Sequence, residues 1–173
     1  MPSPTYVALA KATPTSGYSL TITNIPQTYT DLLVVISGRN NLAAWDDNAE
    51  NRLNSSATTY TSTVLATNNN GTAVNVYSSS ESMNTFYGLT LAGASNTSNT
   101  FASIEYYIPN YTSSQQKIVS ITGVVEANAQ YRGLIQTRAV LWSQTAAVSS
   151  IYFVGNGEFI AGTRIDIYGI KNS

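Results

Sequence analysis

The stretch FASIEYYI, residues 101–108, decides the fold class of this chain. Its apolar side chains recur at every second position, and those that share one face are Ala102, Ile104, Tyr106 and Ile108. This alternation is typical of a β-strand with one face in the core, because successive side chains of a strand point to opposite sides. Glu105 lies on the other face, where we expect it to be exposed, and Pro109 ends the strand.

Comparable patterns recur on both sides of this stretch. Further strands are expected in residues 18–23, 32–36, 58–67, 75–77, 85–91, 118–125, 131–142, 151–154 and 164–170. Residues 155–157 are expected to turn the strand 151–154 back onto 159–160 as a hairpin, and residues 40–56 to form a long loop with one helical turn. Eight to ten strands separated by polar loops predict an all-β fold, a jelly-roll-like antiparallel β-sandwich.

One glycine of the last expected strand has a predicted packing role. Gly169 shares a face with Ile165 and Ile167, which we expect to point into the core. A glycine at such a position indicates a site where another group approaches the backbone closely and a side chain does not fit. Gly162 is expected to form a tight turn before this strand.

The length of 173 residues suits one domain. Residues 1–17 hold three of the five prolines and little periodic pattern, so they predict an extended N-terminal arm ahead of a single sandwich domain over residues 18–173. The arm is either loosely ordered or lies on a neighbouring subunit.

Composition argues against several classes of function. Eight Lys and Arg against nine Asp and Glu give a net charge of −1, which offers no electrostatic attraction to nucleic acid or to an anionic membrane. Cys and His are both absent, which removes thiol chemistry, the commonest general base and the commonest zinc ligands. The scattered acids show no pairing for glycoside hydrolysis. We expect no enzymatic activity and no cofactor.

Two binding sites are considered from side-chain types. Asp46, Asn48 and Glu50 place oxygen atoms at alternate positions of the expected loop, a spacing that suits Ca²⁺, but the glycine and distal Glu of an EF-hand loop are missing, and a solvated acidic loop is the better explanation. A second set of residues, suited to stacking on sugars, consists of Trp45, Tyr60, Tyr106 and Tyr107. The alternative for these rings is the sandwich core or a subunit interface.

The C-terminal part of the chain carries a recognisable order of motifs, Ile151-Tyr152-Phe153, Gly157, Phe159, Gly162-Thr163 and Ile167-Tyr168-Gly169-Ile170. This order resembles the ending of a group of small bacteriophage virion proteins. Upstream, Arg52-Leu53-Asn54 before Tyr60, and Ile108-Pro109-Asn110-Tyr111 before Lys117, resemble further motifs of that group, although Leu53 replaces its usual aromatic residue. The resemblance covers about residues 18–171. It implies a jelly-roll-like sandwich among head-decoration or tail-associated proteins.

The resemblance covers head and tail proteins alike, and our leading hypothesis is a capsid decoration or cement protein that stabilises the lattice of the major capsid protein. We expect a homotrimer in the virion, made in the cytoplasm of a bacterial host, that contacts the major capsid protein or other virion proteins and neither nucleic acid nor membrane. The expected lattice contacts are Tyr6, Val7 and Leu9, and the expected subunit contacts are Arg132, Arg138, Trp142 and Tyr168. The alternative is a tail- or fibre-associated module that binds carbohydrate on the host surface.

Overall fold

A computed structural model describes residues 5–57, 60–69, 74–128 and 133–171, of which residues 68–69, 74–81 and 89 are described by their backbone alone. These residues contain no helix, and hence none that could span a membrane. They form the strands β1 (Tyr6–Ala12), β2 (Ser19–Ile22), β3 (Asp31–Gly38), β4 (Asp46–Leu53), β5 (Tyr60–Asn69), β6 (Val74–Met83), β7 (Phe86–Ala92), β8 (Ala102–Ile108), β9 (Lys117–Glu126), β10 (Gly133–Trp142), β11 (Ile151–Val154) and β12 (Arg164–Ile170). The predicted all-β antiparallel sandwich is confirmed.

Two sheets of unequal size make up the sandwich. The large sheet has eight strands in the order β1-β12-β3-β8-β9-β10-β5-β6, and the small sheet has four in the order β2-β11-β4-β7. The small sheet covers the inner face of the large one, and the core lies between them. β8 shows how sequence builds this core: its predicted apolar face, Ala102, Ile104, Tyr106 and Ile108, is buried, and Glu105 on the other face is exposed as expected.

Aromatic rings form a continuous chain through the core. Trp142 at the end of β10 stacks on Tyr60, with ring centroids 6.4 Å apart. Tyr60 contacts Phe86 of the small sheet at 5.4 Å, and Phe86 meets the edge of Tyr106 at 6.2 Å. Tyr106 in turn stacks on Phe153 at 6.4 Å. The rings therefore tie strands of both sheets together, and offset or tilted ring pairs of this kind add stability beyond their buried area.

The N-terminal segment differs from the expected arm. Residues 6–12 form β1, which pairs antiparallel with β12 as an edge strand of the large sheet, with Ala8 opposite Tyr168. Leu9, Ala10 and Ala12 pack against the core. The boundary expected at residue 18 is therefore wrong, because the open edge of β12 offers hydrogen-bond partners to a segment whose prolines all lie outside residues 6–12.

Two further expectations are corrected by the sheet pairing. The expected loop at residues 40–56 contains β4, which pairs with β11 on one side and β7 on the other. Two of its inward-facing residues are polar, Asp47 at 2% and Asn51 at 0% exposed. The sequence therefore lacks the apolar alternation that would have predicted this strand. The hairpin expected from 151–154 to 159–160 is also wrong, since Phe159 bonds to Gly17 and bridges Asn40 instead.

The predicted close approach at Gly169 is confirmed. A Cβ atom built on Gly169 would lie 2.5 Å from the ring of Tyr29, which is nearer than side chains pack. The predicted turn at Gly162 is also present, because this residue has a φ of +96° and Thr163 donates a backbone hydrogen bond to Ile160. Both glycines thus have structural roles, as their sequence positions indicated.

Candidate adhesive surface

The outer face of the large sheet carries an extended surface without charged side chains. Hydrogen-bonded register aligns four rows of three residues across β9, β10 and β5. We name these twelve residues the uncharged face. Its rows are Val124, Ile135 and Thr67; Thr122, Thr137 and Leu65; Ser120, Ala139 and Thr63; and Ile118, Leu141 and Thr61. Half of these side chains are aliphatic, and the other half carry a hydroxyl group.

The aliphatic members of the uncharged face are strongly exposed. Ile135 is 64% exposed, Leu65 53%, Ile118 47% and Val124 45%. Single exposed apolar residues are normal on protein surfaces, but a contiguous group on adjacent strands is the usual mark of a contact surface. Cross-strand pairing makes this group contiguous, because Val124 and Ile135 lie directly opposite one another.

Two open grooves run across this face. The first has a volume of about 530 Å³ and lies around Ile135, Leu65 and Val124, with Glu105 at its border. The second, of about 550 Å³, lies around Ile118, Leu141 and Ala139. Neither set of lining residues includes an aromatic ring. The face is therefore uneven, with apolar ridges and hydroxyl-lined depressions that another protein surface could fill.

The basic side chains of β9 and β10 are directed inward, opposite to the usual arrangement. Lys117 is 1% exposed, and its Nζ donates hydrogen bonds to the backbone carbonyls of Ser113, at 2.7 Å, and of Gln115. Burial lowers the pKa of the Lys117 ammonium group, because the charged form loses hydration. Arg138 is 7% exposed, donates to Ser62 Oγ at 3.0 Å and lies over the ring of Tyr87.

Acidic residues mark the border of the uncharged face. Glu105 on β8 lies opposite Thr122, and Glu126 at the end of β9 lies opposite Gly133. Tyr107, also on β8, donates a hydrogen bond to Asp31 at 2.8 Å. This bond to the carboxylate raises the pKa of the Tyr107 hydroxyl, and burial adds to the effect. A polar rim around an apolar centre is the arrangement found in protein interfaces.

The residues expected at subunit contacts lie elsewhere. Trp142 and Arg138 face the core rather than the outside, with Trp142 only 1% exposed, so these two expectations are wrong. Tyr168 is half-buried on β12, and Arg132 lies outside the described residues. Both faces of β10 carry large side chains, and the assumption that Arg138 must be exposed led to the wrong choice of face.

The expected lattice contacts fall into two groups. Tyr6 is 56% exposed at the start of β1 and is available for contact. Val7 is half-buried, and Leu9 packs against the core of its own chain, so Leu9 does not reach outward as expected.

The two small-ligand sites expected from the sequence do not assemble as foreseen. Asp46, Asn48 and Glu50 follow an extended strand, where alternate residues are about 6.6 Å apart, instead of curving round an ion. Asn48 Oδ1 accepts a hydrogen bond from Thr90, and no cluster of three His, Cys, Asp or Glu suited to a metal occurs in the described part of the chain. Among the rings of the expected sugar platform, Tyr60 and Tyr106 are buried in the core.

No family model, curated protein or solved structure matches this chain.

The uncharged face was not predicted from the sequence. Its strands alternate Thr with Ile, Leu or Val, and this pattern is equally typical of strands that face a hydrophobic core. One signal was present: β9 and β10 carry large apolar residues at both odd and even positions, including Ile118, Val119, Ile135 and Val140. Apolar residues on both faces of a strand indicate burial on both sides.

Proposed function

We propose that this chain is a bacteriophage virion protein that decorates and cements the capsid. The observation that supports the proposal most is the uncharged face, since a strand pair with apolar residues on both sides is suited to burial against a second protein surface. The motif order that resembles small virion proteins supports the same role. Cementing needs only binding: each copy buries area on its neighbours, which raises the free energy of pulling the lattice apart.

Two surfaces carry this role. The uncharged face acts as the adhesive surface, because removing its exposed aliphatic groups from water is favourable without any charge to desolvate. The exposed Tyr6, at the open edge of the large sheet, is the contact toward the lattice. A tyrosine suits that position, because it supplies a large apolar ring together with a hydroxyl group.

Binding to purified empty heads tests the proposal. The unmodified chain is expected to bind them at a fixed stoichiometry, and Tyr6→Lys to reduce binding because it removes the exposed ring at the contact toward the lattice. Tyr18→Lys is the matched control, since Tyr18 is 55% exposed but lies beside the small sheet, and it should bind like the unmodified chain.

Two results would overturn the proposal. Heads that bind no protein would contradict it, as would equal losses for Tyr6→Lys and Tyr18→Lys. Adsorption to host cells or to a glycan array, without binding to heads, would favour the tail-associated alternative instead.

A further inference from the structure

We infer that the uncharged face binds a second copy of this chain, so that the protein forms a two-fold pair with the two large sheets stacked face to face. The inference deepens the proposed function, because it names the partner of the same adhesive surface. Two observations carry it: the absence of charge from the twelve residues, and their contiguous placement on three adjacent strands at the surface of a sheet.

The charge pattern allows the face to contact itself. In a two-fold contact each side chain meets the same surface on the other copy, so any charge at the centre would approach its own kind. The twelve residues contain none, and Glu105 and Glu126 lie at the border, where they remain hydrated. Hydroxyl groups of Thr and Ser can donate and accept, so they pair with themselves equally well.

The area of the face suits a weak, transient pair. The three strands β9, β10 and β5 are about 4.8 Å apart, and four rows along them extend about 26 Å, which gives about 370 Å² per copy. The total of about 750 Å² for both copies is below the size of stable protein interfaces, so we expect the pair to form only at high concentration. Stacked sheets normally pack about 10 Å apart, a distance that aliphatic side chains such as Ile135 and Leu65 can fill.

A pair agrees with this surface better than the expected trimer. A cyclic trimer needs two different complementary surfaces on each copy, whereas a two-fold pair needs one surface that contacts itself. In the virion, such pairs would join copies held on neighbouring capsid subunits through the Tyr6 edge. The cement would then be the contact between copies.

Sedimentation equilibrium of the purified chain, without heads, tests this inference. We expect a monomer–dimer equilibrium whose dissociation constant is the same at about 0.05 M and about 1 M NaCl, because no ion pair is screened. Ile135→Lys should raise that constant at least about 100-fold, since each pair then loses two buried isoleucines and has to desolvate two ammonium groups. Tyr18→Lys should leave it unchanged, and circular dichroism should show both variants folded.

Other results would overturn the inference. These are a monomer at about millimolar concentration, where even weak pairs form, a trimer, or a dimer that Ile135→Lys leaves intact. A monomer that still binds heads through this face would make the lattice its occupant and leave the proposed function standing. A dimer that does not bind heads would contradict the proposed function and leave the dimer inference standing. The two failures are therefore distinguishable.

Discussion

The two faces of β10 differ in burial and in charge. The inner face carries Leu134, Gln136, Arg138, Val140 and Trp142, all buried, and the outer face carries Ile135, Thr137, Ala139 and Leu141, with no charge. The charged Arg138 is thus buried, while the apolar Ile135 is 64% exposed. This inversion agrees with the proposal that the outer face makes contacts with another surface, while the inner face stabilises the fold.

The largest expected effect comes from the inner face. Trp142→Ala removes a ring that is 1% exposed and stacked on Tyr60, so we expect the free energy of unfolding to fall by about 3–5 kcal/mol. Leu141→Ala, one residue away on the outer face, should cost less than about 1 kcal/mol. Urea unfolding of both variants measures the difference. Equal losses would contradict the assignment of the two faces.

An intermediate effect is expected at alkaline pH. Burial raises the pKa of the Tyr60 hydroxyl to about 12, from an ordinary value of 10.0. The unfolded chain therefore ionises this tyrosine first, so its contribution to stability is complete below pH 10 and is lost as the pH rises toward 12. The loss amounts to about 2 kcal/mol. Urea unfolding at several pH values should show a shallower decline for Tyr60→Phe, and an unchanged decline would contradict the buried position.

The smallest effect on stability is expected on the outer face. Ile135→Lys should change the free energy of unfolding by no more than about 0.5 kcal/mol, because the side chain is mostly in water in the isolated chain. The same substitution is expected to abolish pairing, so stability and association should respond separately. Thermal unfolding of dilute protein is the measurement, and a loss as large as that of Trp142→Ala would show that Ile135 supports the fold.

The sequence predicted best those strands whose apolar residues are buried and whose polar residues are exposed. β8 and β12 were predicted because their apolar residues alternate and face the core, as Ile104 and Ile167 do. β4 was missed because its inward side chains include Asp47 and Asn51, whose burial depends on partners from distant segments, such as Asn156 bonding to Asp47. β1 was missed because proline-rich flanks concealed a strand that pairs with the other end of the chain.

The adhesive surface was harder to predict than the fold. None of the residues expected at subunit contacts belongs to the uncharged face, because charge and aromatic character were taken as signs of exposure. That assumption fails for Arg138 and for Trp142, since both lie on the inner face of β10. Alternation identifies which residues share a face, but the face that becomes the inner one is the face that the small sheet covers, as Tyr87 does over Arg138.

Thiol labelling tests the central claim most directly, because the chain has no cysteine and each variant carries a single reactive group. Thr137→Cys places it on the uncharged face, and Thr21→Cys places it on an exposed position of β2. We predict that maleimide labels Thr137→Cys much more slowly in concentrated protein, or on heads, than in dilute solution, while labelling of Thr21→Cys stays constant. Unchanged labelling of Thr137→Cys under all these conditions would contradict an adhesive role for this face.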